Sequence, residues 1–211
     1  MFKEPVKAQN SINVLPKKAL LMPFIDDMDI EPIFVSYTRY FNDQVEISES
    51  NKIKGQSTIR AKSELPPGTL IFVHTDQIKV SNTRTSIQIG NNQHVEPGPY
   101  GSYTNHSCEP NAMIVSRASS ESGLAAIALI TFKPVKKGEE ITFDYASTES
   151  RVTASAKLSA CLCGSANCRG KIGGFHEITE AEQQRLIKSG LVADYLVKQM
   201  LLKEKNAKMA L

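Results

Sequence analysis

Two stretches hold the side chains of this chain best suited to chemistry, "NHSCEPNA" at 105–112 and "CLCGSANCRG" at 161–170. The first sets His106, Ser107 and Cys108 side by side, a combination that serves as a nucleophile beside its base, as part of a metal site, or as a turn. The second carries Cys161, Cys163 and Cys168, and Cys108 is the remaining cysteine of four. Cysteines two residues apart seldom reach disulfide geometry, and disulfides are rare in a reducing compartment. Zinc takes four ligands at tetrahedral corners; the glycine-containing loop offers three, and Cys108 completes the set. Four thiolates leave no open position for water, so such a zinc holds structure and does not activate a nucleophile. Cys108 is then not a free nucleophile, and no G-x-S-x-G elbow surrounds Ser107. His74, His94 and His176 read as structural or surface histidines.

The elements that must position these residues are mainly strands. Between about 45 and 145 short β-rich runs follow one another: "VEIS", "STIRA", "TLIFVHT", "TSIQIG", "AMIVSRA", "LAAIALITF" and "EITFDY". Turn chemistry separates them, as in "LPPGT", "EPGPYG" and "KKGEE". "STIRA", "TSIQIG" and "EITFDY" alternate roughly in and out, whereas "LAAIALI" is apolar throughout, as a strand buried on both faces would be. A small, mainly β domain follows, with helical appendages. Residues 1–44 form an N-terminal extension broken by Pro16, Pro23 and Pro32, expected to supply a short helix or strand that packs on the body. Residues 176–211 are helical. Thr179 and Glu182 make a capping box, Gly190 stops the first helix, and a second from about 191 to 205 carries Val192, Tyr195, Leu196 and Met200 as a face for docking on the β body.

Composition narrows the class. A chain of 211 residues with 41% apolar and 22% charged residues suits one soluble domain with appendages. No window approaches eighteen apolar residues, so no membrane partner is expected, and "MFKEPVKAQN" lacks a signal-peptide apolar core, which makes an intracellular protein the expectation. The net charge of +3 comes with lysines at both ends, read as solvated termini. Direct nucleic-acid binding is not expected, because that needs a clustered basic stripe.

Three motifs in order, "NHSCEPNA", "KKGEEITFDY" and "CLCGSANCRG", with "ELPPGTLIF" upstream, resemble the SET domain of protein-lysine methyltransferases in its compact microbial form, followed by a post-SET zinc loop. The resemblance covers about 50–175 and divides the chain into a SET domain at 45–150 and a post-SET loop at 151–175. It implies several short curled β-sheets around a pseudoknot, in which the segment at Asn105–Ala112 and the segment ending at Tyr145 pass one another.

It also implies chemistry. The cofactor is S-adenosylmethionine, held by Gly55, Gln56, Ser57, Asn105 and His106; zinc is held by Cys108, Cys161, Cys163 and Cys168. Tyr145 is the catalytic tyrosine, and Phe143 and Tyr103 belong to the lysine channel, with phenylalanine at Phe143 leaving room for more than one methyl group. The substrate is a protein carrying the target lysine, a histone or another basic protein among the candidates. Two other readings stand beside this one. "KGQSTIRA" keeps Gly55 but has Ser57 where the family's second glycine falls, and Ser102 stands where an arginine is common; these departures favour a SET-fold binding module without turnover. The short span between "TSIQIG" and "NHSC" favours a methyltransferase for a small-molecule or carrier-bound amine.

Overall fold

A computed structural model describes residues 39–119, 121–152 and 160–209. The element expected in the N-terminal extension lies outside these residues, apart from its last stretch, where β1 (Arg39–Phe41) forms. Among the described residues no helix is long and apolar enough to cross a membrane.

The largest sheet is antiparallel, in the order β1, β4 (Leu70–Gln77), β9 (Leu124–Thr131), β8 (Ala112–Ala118). Strand β9 is central, and every residue after Leu124 is buried, as its uninterrupted apolar run requires. Ile127 and Leu129 face one core with Ile71, Phe72 and Leu65, while Ala128 and Ile130 face a second with Val73. Alternate side chains of one strand thus fill both faces, each large one contributing about 1.5–3 kcal/mol by burial.

Among the described residues three smaller strand pairs accompany this sheet. Strands β2 (Val45–Glu49) and β3 (Ser57–Ala61) form one hairpin; β5 (Ile87–Gly90) and β6 (Gln93–Val95) form another, turned by Asn92 at φ 51°. Asparagine tolerates this left-handed conformation better than bulkier residues do. The third pair is parallel: β7 (Asn105–His106) beside β10 (Thr142–Phe143). Between them the chain builds β8 and β9 and then returns, so the two segments expected to pass one another run side by side. Asn111 fastens the crossing: its Oδ1 accepts from Thr142 N at 3.0 Å and its Nδ2 donates to Glu140 O at 2.9 Å.

The expected alternation of "EITFDY" does not hold. Glu140 through Asp144 are all buried, because the stretch runs between β3 and β7. Its carboxylates tolerate burial through partners: Glu140 accepts from Ser50 Oγ and Asn51 N, and Asp144 from Arg169. Nor do "STIRA" and "TSIQIG" alternate; most of their strand residues are buried.

Among the described residues a short four-residue helix, α1 (Gly98–Gly101), is followed by two C-terminal helices: α2 (Glu180–Lys188), with the Thr179–Glu182 capping box in place, and α3 (Asp194–Met209). Gly190, at φ +71°, follows the end of α2 in the conformation glycine adopts most readily. Val192 precedes α3 instead of lying on it. The helix touches strand β5, but its apolar face is covered chiefly by turns. Val192 and Leu196 pack with Ala146 and Phe175 in the 3-10 turns Tyr145–Ser147 and Phe175–Glu177, since those turns bring uncovered apolar surface to the C-terminal end.

Candidate active site and metal centre

The crossing of β7 and β10 sets the site. Parallel pairing places Phe143 opposite His106 and Thr142 opposite Asn105, and the chain after Phe143 turns at once into the 3-10 turn that begins at Tyr145. Asp144 caps that turn, its Oδ1 accepting from Ala146 N at 3.0 Å. On the other side the β2–β3 loop approaches. Gly55 there sits at φ +77°, a conformation most side chains disfavour. Asn105 Nδ2 donates to Ser57 O at 3.2 Å, which joins this loop to the crossing.

One cavity of about 700 Å³ collects these pieces. Gly55, Gln56, Ser57, Tyr103, Asn105 and His106 line it, as do Phe143, Tyr145 and two of the cysteines, Cys161 and Cys163. Cys108 and Cys168 stand outside its lining, beside the other two in one cysteine cluster.

Tyr145 is fixed from three sides. Its hydroxyl donates to Thr104 O at 3.0 Å, Phe143 packs against its ring at 4.9 Å, and His106 meets it edge-on at 5.2 Å. Burial pushes its phenol well above the ordinary tyrosine value; the nearby Glu149 carboxylate adds to this and Arg84 opposes it. Tyr145 is therefore a neutral hydroxyl at pH 7. With its proton hydrogen-bonded to Thr104 O, it can orient a group through its oxygen lone pairs but holds no negative charge.

His106 is neutral as well. Burial lowers it to about 4, against the opposing pull of Asp144 and with the help of Arg169. Its Nδ1 accepts from Tyr145 N at 3.2 Å, so its ring proton sits on Nε2, 3.3 Å from Cys108 Sγ. The ring thus faces the cysteines and the tyrosine backbone. Only its remaining surface and main chain are left for a ligand in the cavity.

The four cysteines are unbridged and converge, their sulfurs all within 4.8 Å of one another. Cys108 and Cys161 sulfurs lie 3.8 Å apart, and zinc–sulfur bonds of about 2.3 Å at tetrahedral corners call for roughly that spacing. Arg169 N and Gly170 N point at Cys108 Sγ and Cys168 Sγ, both at 3.4 Å, as donors to thiolates do. Burial pushes the Cys108 thiol up to about 11. The donor set fits a closed structural zinc.

Four participants, Asp144 among them, were not singled out in the sequence. Arg169, directly after the third loop cysteine, clasps Asp144 with both guanidinium arms. Thr104 places a buried Oγ1 without a hydrogen-bond partner among the described residues at the cavity wall, a position suited to a polar ligand. Glu149 lines the cavity one turn beyond Tyr145. The aspartate of "TFDY" and the arginine of "NCRG" were visible as charged residues beside apolar or cysteine ones; nothing marked Thr104.

Residues 44–146 match the family model described as the SET domain. Over 86 residues the chain is 40% identical to "Histone-lysine N-methyltransferase Set2" of Drosophila melanogaster, covering 41% of this chain and 4% of that protein. It is 28% identical over 145 residues to "Histone-lysine N-methyltransferase, H3 lysine-9 specific dim-5" of Neurospora crassa, covering 63% of this chain and 42% of that protein. The chain thus spans less than half the length of these relatives. A solved structure of KRYPTONITE in complex with mCHG DNA and SAH shares 23% identity at a TM-score of 0.49, covering 63% of this chain and 29% of that one. The crossing of β7 and β10 falls inside the matched residues, and residues 44–146 of this chain form a SET domain.

Proposed function

We propose that this chain is an S-adenosylmethionine-dependent methyltransferase acting on the ε-amine of lysine in a protein substrate, a histone or another basic protein being the first candidates. The observation that carries this reading is the meeting of Tyr145, Phe143, Asn105 and the Gly55–Ser57 loop at one cavity inside a matched SET domain. The named relatives, histone-lysine N-methyltransferases, support the substrate class.

The cofactor, when bound, supplies an electrophilic methyl group on a sulfonium. Gly55, Gln56, Ser57, Asn105 and the His106 main chain would hold it, with Thr104 Oγ1 as a further partner. The chain's own residues do the rest. A lysine near pKa 10.4 is mostly protonated at pH 7, and a partly apolar cavity beside positive charge favours its neutral form. Tyr145, held by Thr104 O and flanked by Phe143, orients the amine lone pair toward the methyl carbon. Fixing that line of approach supplies much of the acceleration. Phe143 offers no hydroxyl to pin a water, which leaves space for a methylated amine to turn and react again. Cys108, Cys161, Cys163 and Cys168 would hold zinc, and that shared ion would fasten the 161–170 loop to the crossing.

Saturating cofactor should raise the melting temperature, since it binds only the folded state. Incubation with labelled cofactor and histones should place label on protein. No melting shift would favour the binding-module reading, and label confined to small molecules would favour the small-amine reading.

A further inference from the structure

Glu149 has no part in the proposal above, yet it occupies a singular position. Among the described residues lining the cavity it is the sole carboxylate, while Arg84 and Arg151 contribute positive charge to the same wall. Three contacts hold it in place. Its Oε1 accepts from Gln88 N at 2.8 Å and from Thr148 Oγ1 at 3.2 Å, and its main-chain N–H bonds to Tyr145 O at 2.8 Å. That last bond closes one helical turn, so Glu149 stands over Tyr145. Its Oε2 has no hydrogen-bond partner among the described residues. Gly174 passes so close behind that a Cβ there would lie 2.5 Å from Arg151 Cα, which fixes the backbone carrying Glu149 and Arg151.

An incoming lysine is an ammonium and must become an amine before its lone pair can react. In this cavity it meets two guanidinium groups and the positive sulfonium of the donor, with a single opposite charge to receive it. We infer that Glu149 is the docking counterion and proton acceptor for the substrate amine, an inference that rests on the amine-methylation reading above. The ammonium gives one proton to Glu149 Oε2 and becomes a neutral amine. The amine's lone pair forms the nitrogen–carbon bond as the carbon–sulfur bond breaks, its electron pair staying on sulfur. The methylated ammonium leaves, and Glu149 returns its proton to solvent.

The charged and titratable groups facing Glu149 are consistent with this role. Tyr145 and Tyr195, the latter on α3, both sense its charge, and both stay protonated at neutral pH. Arg84 and Arg151 carry fixed charge. Burial raises the Glu149 carboxyl itself to about 7, against the Gln88 N–H and the Thr148 hydroxyl, so it can take and release a proton near neutrality.

The test compares wild type, Glu149→Gln and Glu149→Asp, with folding checked by melting temperature. Binding is measured first at pH 7, using Nα-acetyl-lysine methylamide against its uncharged norleucine counterpart. Wild type should prefer the lysine probe, and Glu149→Gln should lose that preference. The pH profile of kcat/KM then follows. Wild type should show an acidic limb near pH 7; Glu149→Gln should lose about 100-fold at pH 7 and rise steadily toward pH 10 as free lysine deprotonates. Glu149→Asp should recover part of the rate. Equal preference for both probes in wild type, or an unchanged profile in Glu149→Gln, overturns the inference. A preference for the lysine probe with no turnover by any variant would refute methyl transfer and leave Glu149 as the amine-docking residue.

Discussion

Arg169 clasps Asp144 through two hydrogen bonds, Nη1 to Oδ2 at 2.8 Å and Nη2 to Oδ1 at 2.6 Å, with the Asp144 side chain fully buried. One residue precedes Tyr145 and the other follows Cys168 of the cysteine cluster, so this pair joins the two places mechanically. Removing one partner of a buried pair strands a charge and costs about 3–5 kcal/mol. Arg169→Ala should lower unfolding stability by that amount in a urea titration. Arg169→Lys should recover little, because one ammonium cannot reproduce two parallel bonds. A loss below about 1 kcal/mol for Arg169→Ala would show that the clasp does not join the sites.

Cys108→Ser should lower the metal content of purified protein from near one zinc per chain, since three thiolates leave the shell open. Digestion should then cut the 161–170 loop faster, as should chelator treatment of wild type. Full zinc in the variant, measured by elemental analysis, would mean that Cys108 is not a ligand.

Glu149 gives a stability prediction separate from its role toward substrate. Burial raises its carboxyl to about 7, above the usual glutamate range. The folded state therefore keeps a proton that the unfolded chain has already released. Its contribution is full below the unfolded value and is lost as pH rises through about 7. Glu149→Gln removes the ionisation and should be more stable than wild type at pH 8, by up to about 3 kcal/mol, with no difference near pH 4. Parallel melting curves from pH 4 to 8 would check this, and identical slopes would place the carboxyl at its ordinary value.

How far the fold is legible in the sequence depends on how local its causes are. "LAAIALI" announces a strand covered on both faces because its composition already contains the answer. Thr179 and Glu182 announce a helix start because a capping box needs only four residues. By contrast, β7 is two residues long and exists through a partner far along the chain, so no local period marks it. "EITFDY" misleads for a related reason. Its polar side chains suggest a solvent face, yet Arg60, Ser50 and Arg169, all distant in sequence, satisfy Glu140 and Asp144 in the interior. The cysteine cluster is countable from spacing, whereas Thr104 and Glu149 become visible only once the crossing shapes the cavity they line.

The central claim is methyl transfer to lysine at Tyr145, and one comparison tests it most directly. Wild type and Tyr145→Phe are incubated with labelled S-adenosylmethionine and histones, and label on lysine ε-amines is read by mass spectrometry. Wild type should methylate protein lysine. Tyr145→Phe, which loses only the hydroxyl bonded to Thr104 O, should fall by about 100-fold or more while keeping its fold and its cofactor-induced melting shift. Equal transfer by the two proteins, or no labelled lysine with wild type, would contradict the account.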